Sequence, residues 1–133
     1  MRHDEKTEIH DPIFQKSGGD FAGRSRFLLE TLAAVRDFFN DAVSARDATL
    51  AAIGIASFGP IELDRGAPNY GFITKTPKAG WSNTDICGYF THEFNVPIAF
   101  ETDVNGAAWG EKIVGAGCGL SDFIYVTVGT GIG

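Results

Sequence analysis

The chain predicts an α/β fold. Three features carry that expectation: a long amphipathic helix pattern, a short apolar run of the kind found in covered sheets, and a second strand that breaks into polar residues at a helix start. Leu28, Leu32, Val35, Phe39 and Ala42 recur at intervals of four and three, with Phe27 and Phe38 widening the stripe. That spacing predicts a helix from Arg24 to about Ala45. Within Ala48 to Phe58, the run Leu50-Ala51-Ala52-Ile53-Gly54-Ile55-Ala56 is nearly continuous in apolar character and is bounded by Gly59-Pro60. It predicts a strand buried on both faces, under helices.

Ile61 to Trp81 reads as an irregular connection rich in Gly, Pro, Asn and Thr. A connection of this length inside a compact domain points either to function or to disorder. Ser82 or Asn83 can cap a following helix that carries Ile86, Phe90 and Phe94 on one face. Pro97 fits only at a strand start, so Val96 to Phe100 is the next strand. A helix follows Asp103 and stops in Gly115-Ala116-Gly117-Cys118-Gly119. Phe123 to Val128 reads as the last strand, running directly into Gly129-Thr130-Gly131-Ile132-Gly133.

The totals bound the function. With 133 residues, 44% of them hydrophobic, the chain has material for one modest domain with a real core. A net charge of −6 speaks against nucleic acid as a main partner, since no basic excess is present to neutralise phosphates. Seventeen glycines, concentrated in the second half, point to tight turns and close backbone approach. Cys87 and Cys118 fit no metal spacing and read as free thiols of a reducing compartment. Met1 to Lys16 has no apolar core of a secretory leader, and no run has the length of a membrane span, so no membrane partner and a cytoplasmic location are expected. Residues 1–23 are charged and poor in apolar surface, and are expected to be mobile or weakly docked; His3 and His10 in that tail read as solvated. The folded unit is expected over residues 24–133.

The chemistry centres on Phe100-Glu101-Thr102-Asp103-Val104-Asn105. Asp103 stands at the carboxyl end of a strand and near a helix amino terminus, where α/β proteins place reactive groups. Two roles are open to these residues: Thr102 or Asp103 can cap the helix, or Asp103 can take a proton from a substrate hydroxyl. Gly129-Thr130-Gly131-Ile132-Gly133 offers backbone N–H groups that can converge on an anion, and equally the makings of an ordinary turn. A carboxylate base combined with a phosphate cradle is the minimum equipment for phosphoryl transfer to a hydroxyl. Of the remaining residues, Trp109 reads as core and Trp81 as core or sugar platform; Glu101, Glu111, Lys75 and Lys78 read as solvated, and His92 as structural.

Four motifs in order, Ser57-Phe58-Gly59-Pro60-Ile61, Thr76-Pro77-Lys78-Ala79-Gly80-Trp81, Thr102-Asp103-Val104-Asn105 and Val128-Gly129-Thr130-Gly131-Ile132-Gly133, resemble bacterial fructokinases of the ROK sugar-kinase family. The resemblance runs from about Leu28 to Gly133. It implies an actin-like (ribonuclease H-like) ATPase lobe, incomplete, with a three-layer arrangement of sheet and flanking helices. It implies Asp103 as catalytic base, Gly59, Pro60 and Asn105 as sugar-binding residues, and Gly129, Thr130 and Gly131 as the second phosphate loop. ATP and Mg2+ would be the cofactors and a hexose, most naturally fructose, the substrate.

The departures from the family pattern have consequences too. The Asp/Glu-x-Gly-Gly-Thr-Lys loop that opens such kinases has no match in residues 1–23, where Ser17-Gly18-Gly19-Asp20 lacks the Thr-Lys. The family's zinc site lies beyond residue 133, so His3, His10, His92, Cys87 and Cys118 inherit no metal role. These departures imply a partial N-terminal lobe with little or no turnover alone, completed by a second lobe or by another copy of the chain. The alternative is a non-catalytic remnant that binds sugar or a partner. A ROK-type repressor would need a basic helix-turn-helix, for which acidic residues 1–23 are too short.

Overall fold

The computed structural model describes residues 26–129, 131 and 132. The expectations for residues 1–23, for a helix start at Arg24 and for Thr130 lie outside the described residues.

Helix α1, Arg26–Ser44, forms where the four-and-three spacing places it. Leu28 and Leu32, one turn apart, are buried and join the core. The buried stripe is narrower than predicted, because Phe27, Val35 and Phe38 stay exposed. Leu28 and Leu32 carry the buried side, and the half-buried Phe39 meets the Phe94 ring edge-on at 6.3 Å.

Strand β1, Ile53–Ser57, is followed by the short β2, Phe72–Ile73, and β3, Thr84–Asp85. β2 and β3 pair antiparallel, and Ile61 bridges to Ile73, so the connection predicted as irregular is tied down at its middle. Helix α2, Ile86–Phe94, then lays Ile86, Tyr89 and Phe90 into the same core as Leu28, Leu32 and Ile53.

The cap of α2 is Asp85, not Ser82 or Asn83: its Oδ1 accepts from the Gly88 N–H at 2.6 Å. The reason is upstream pairing. Thr84, fully buried, keeps the chain extended through β3, while the Ser82 hydroxyl donates to the Thr76 carbonyl and accepts from the Thr76 N–H. Asn83 sits in the left-handed region, φ 56°.

Strand β4, Ile98–Thr102, returns parallel to β1, with Ile53 opposite Ile98 and Ser57 opposite Thr102. Side chains along a strand alternate between faces. Ile53 and Ser57 turn to the core, whereas Gly54 and Ala56 are exposed on the other side, which corrects the expectation of two buried faces. Helix α3, Asp103–Val114, occupies part of that other side. Its Gly106 lies on Ala56 so closely that a Cβ there would fall 2.6 Å from the Ala56 Cβ. Helices therefore flank the parallel pair on both faces.

Two further expectations are corrected. Trp109 is 62% exposed rather than core, since α3 turns its small residues to the sheet. Phe123 to Val128 forms no strand: exposure alternates, with Ile124, Val126 and Val128 out, yet no described segment pairs with it beyond a single Val128–Ile132 bridge. Strand propensity needs a neighbouring strand to become a ladder. Among the described residues, no helix is long and apolar enough to cross a membrane.

Candidate active site at the carboxyl ends of the parallel strands

The register of β1 and β4 assembles the site. Because Ser57 and Thr102 are partners at the ends of adjacent parallel strands, the loop Phe58-Gly59-Pro60 and the helix start at Asp103 leave the sheet side by side, roughly 5 Å apart in the hydrogen-bonding direction. This brings Asp103, Asn105, Gly59 and Pro60 to one end of the sheet.

The capping question is settled in favour of Thr102, whose Oγ1 accepts from the Asn105 N–H at 3.1 Å. Asp103 is thereby released from that duty. Its carboxylate is exposed, makes no ion pair among the described residues, and accepts one hydrogen bond, from the Val104 N–H at 3.0 Å. An acidic side chain in the first turn also sits in the favourable field of the helix amino end.

Asn105 is held from below. Its Nδ2 donates to Glu101 Oε1 at 3.0 Å, and the same oxygen accepts from the Thr102 N–H at 2.8 Å. Glu101, read from sequence as a solvated strand end, is thus a support that orients the amide and leaves the Asn105 Oδ1 without a donor among the described residues. The i, i+4 spacing of 101 and 105 across a strand–helix junction is the signal that could have found it. Asn105 also opens, with Trp109, Lys112 and Phe123, onto a cavity of about 280 Å³.

The loop after β1 is pinned from the second motif. Gly59–Pro60 is a cis peptide, and the Pro60 carbonyl accepts from both the N–H and the hydroxyl of Thr74, at 2.8 and 3.0 Å. Lys78-Ala79-Gly80-Trp81 closes a tight turn, with the Trp81 N–H donating to the Lys78 carbonyl and Gly80 at φ 81°, a conformation that favours glycine. Both ends of that turn grip Phe58: the Lys78 ammonium lies 3.6 Å from the ring centroid, and Trp81 meets the ring edge-on at 5.3 Å. Trp81 is part of the core margin, and Lys78 is placed rather than free.

The glycine turn is built separately. Gly129 donates its N–H to the Gly131 carbonyl at 2.8 Å across the Val128–Ile132 bridge, so this N–H is spent within the turn. The N–H groups of Gly131 and Ile132 find no acceptor among the described residues. No hydrogen bond or ion pair joins the described part of this turn to Asp103. Among the described residues no three His, Cys, Asp or Glu side chains gather as metal ligands; the chain's own described side chains offer no cage for a divalent cation.

A parallel α/β pair that gathers a free carboxylate, an oriented amide and a pinned loop at its strand ends has the architecture of a small-molecule-binding site. The chain belongs to the ROK family: a model of that family matches residues 25–133. It is similar to the fructokinase of Zymomonas mobilis subsp. mobilis, 48% identical over 104 residues that make up 78% of this chain and 35% of the relative. It is likewise similar to the fructokinase of Pediococcus pentosaceus, 44% identical over 105 residues, 79% of this chain and 34% of the relative. A xylose repressor of Bacillus subtilis is 36% identical over 84 residues, 63% of this chain and 20% of that protein. The chain spans about a third of the length of the curated fructokinases it matches.

Proposed function

We propose that the chain carries the sugar side of an ATP-dependent hexose phosphorylation, with fructose as the hexose and Asp103 as general base. On this reading its α/β unit, residues 24–133, is part of an actin-like, ribonuclease H-like N-terminal lobe. The observation that carries the proposal is the Asp103 carboxylate, exposed at the end of β4, relieved of capping by Thr102, and set beside the pinned loop that follows β1. Similarity to fructokinases supports the substrate and the reaction class.

The chain's own residues have distinct tasks. Asp103 accepts the proton of the attacking sugar hydroxyl, a step that a positioned carboxylate accelerates by about 10²–10⁴-fold. Asn105, oriented by Glu101, offers its amide oxygen to a neighbouring hydroxyl. Gly59 and Pro60, fixed through Thr74, form the wall against which the ring is aligned, and alignment is itself a large part of the rate. The Gly131 and Ile132 N–H groups fit a nucleotide phosphate, whereas Gly129 contributes shape only, its N–H being engaged. ATP supplies the phosphoryl group that the sugar alkoxide takes up. Turnover by this chain is expected to be slow.

The test is fructose-dependent ADP release from Mg-ATP in a coupled assay. A slow, fructose-dependent rate that falls at least about 100-fold in Asp103→Asn supports the reading. An equal rate in the two proteins overturns it. A second reading, a sugar-binding unit without chemistry, is favoured by the inward-turned Gly129 N–H and by similarity to the xylose repressor; fructose binding with no ADP release in the same assay would select it.

A further inference from the structure

Among the described cations, Lys78 and Arg65 lie on aromatic rings, Arg65 over Tyr70 at 5.3 Å, and of the two it is Lys78 whose ring follows directly on β1. Arg26 pairs with Glu30, Arg36 with Asp37 and Glu93, and Arg46 and Lys112 donate to the backbone carbonyls of Ala42 and Leu120. Lys78 has no carboxylate partner among the described residues, in a chain whose net charge is −6. Its ammonium is placed instead on the Phe58 ring, 3.6 Å from the centroid. An aromatic face holds a cation by its quadrupole without neutralising it. The charge stays available while much of the side chain's freedom is already removed.

The location gives this charge a use. Phe58 follows Ser57, the register partner of Thr102, so Lys78 is anchored at the same end of the sheet as Asp103. The Lys78–Trp81 turn sets both residues against one ring, and the Lys78 N–H donates to Thr76 Oγ1 at 3.3 Å. Without a cation, this end of the sheet would present the carboxylates of Glu101 and Asp103, and repel a phosphate. With Lys78 it offers neutral hydroxyls a carboxylate and an amide on one side, and an anion a fixed positive charge on the other. Lys75, in the same loop, has no such anchor and faces solvent.

We infer that Phe58, Lys78 and Trp81 form an anion subsite for the phosphate monoester of the sugar, so that Lys78 meets the phosphoryl group once it is on the sugar. This rests on the kinase reading and extends it to the product. The subsite makes the phosphorylated sugar bind more tightly than the free sugar, and makes that preference depend on salt, as expected for an exposed charge.

The experiment is equilibrium titration of the 133-residue chain, carrying Trp109→Phe so that Trp81 is the sole tryptophan and is excited selectively, with fructose, a fructose monophosphate and inorganic phosphate. Lys78→Met is compared with Lys78→Arg, and circular dichroism confirms that each variant is folded. The expected result is a monophosphate affinity at least about 10-fold weaker in Lys78→Met, preserved in Lys78→Arg, with fructose affinity unchanged. Equal monophosphate affinity in the parent and in Lys78→Met overturns the subsite. Lys78-dependent binding of the monophosphate and of inorganic phosphate, with no binding of free fructose, upholds the subsite and removes the kinase reading. Binding of none of the three ligands overturns both.

Discussion

The Cβ that Gly106 lacks would fall 2.6 Å from the Cβ of Ala56. The first turn of α3 therefore lies directly on β1, and this contact sets the depth at which Asp103 leaves the sheet. Gly106→Ala is expected to destabilise the fold by about 1–3 kcal/mol through overpacking, seen as a lower urea midpoint. Ala56→Gly in the same chain removes the clash and should recover part of the loss, whereas additive losses in the double variant would contradict the contact.

Glu101 is expected to act through Asn105 and the Thr102 N–H, both of which donate to its Oε1. Glu101→Ala should cost about 0.5–1.5 kcal/mol in urea denaturation by removing the acceptor of two hydrogen bonds, one part-buried and one exposed. Glu101→Gln keeps an oxygen at that position and should retain most of both stability and fructose affinity. If Ala and Gln variants bind fructose with the same affinity as the parent, Glu101 does not orient the amide.

Asp85 gives a pH signature. Burial raises its pKa above the ordinary 3.8, with the Gly88 N–H partly opposing that shift. The folded state then holds this proton more tightly than the unfolded chain does. The ionised carboxylate costs stability above the folded pKa, and the cost disappears as pH falls through that value towards the unfolded one. Asp85→Asn keeps an oxygen for the cap and should raise the thermal midpoint at pH 7 relative to the parent, with the gain gone at pH 3. A gain of the same size at both pH values would contradict burial as the cause.

The two thiols should differ in reactivity. Cys87 is buried and its pKa is pushed up to about 12, mainly by desolvation and further by Asp85, against a weaker lowering by Arg65. Cys118 is exposed. A disulfide reagent at pH 8 should titrate one thiol per native chain and two after denaturation, since the thiolate is the reacting species. Rapid reaction of two native thiols would show that Cys87 is not enclosed.

Much of this was legible in the sequence because it depends on local pattern. The spacing of Leu28 and Leu32, the apolar run around Ile53 to Ile55, and the small residues after Asp103 each fixed an element within a few residues of its bounds. What failed depended on partners distant in sequence. Asp85 caps α2 because Thr84 pairs with Ile73 first. Trp109 lies outside because Gly106 is the residue that meets Ala56. Phe123 to Val128 has the composition of a strand without a described strand to join. In the site, the residue types were readable but their supports were not: that Glu101 holds Asn105, and that Phe58 is gripped by Lys78 and Trp81, follow from the register of β1 with β4 and from a turn 20 residues downstream of Phe58.

The central claim is that the loop after β1 and the helix start after β4 contact one sugar together. Amide chemical-shift mapping by NMR during a fructose titration tests it most directly. The account predicts that Phe58, Gly59 and Ile61 shift in concert with Thr102, Asp103 and Asn105, with one dissociation constant, and that Asp103→Asn weakens the response of both groups alike. Shifts confined to one group, or gathered instead along the exposed face of α1 around Phe27 and Phe38, would contradict it.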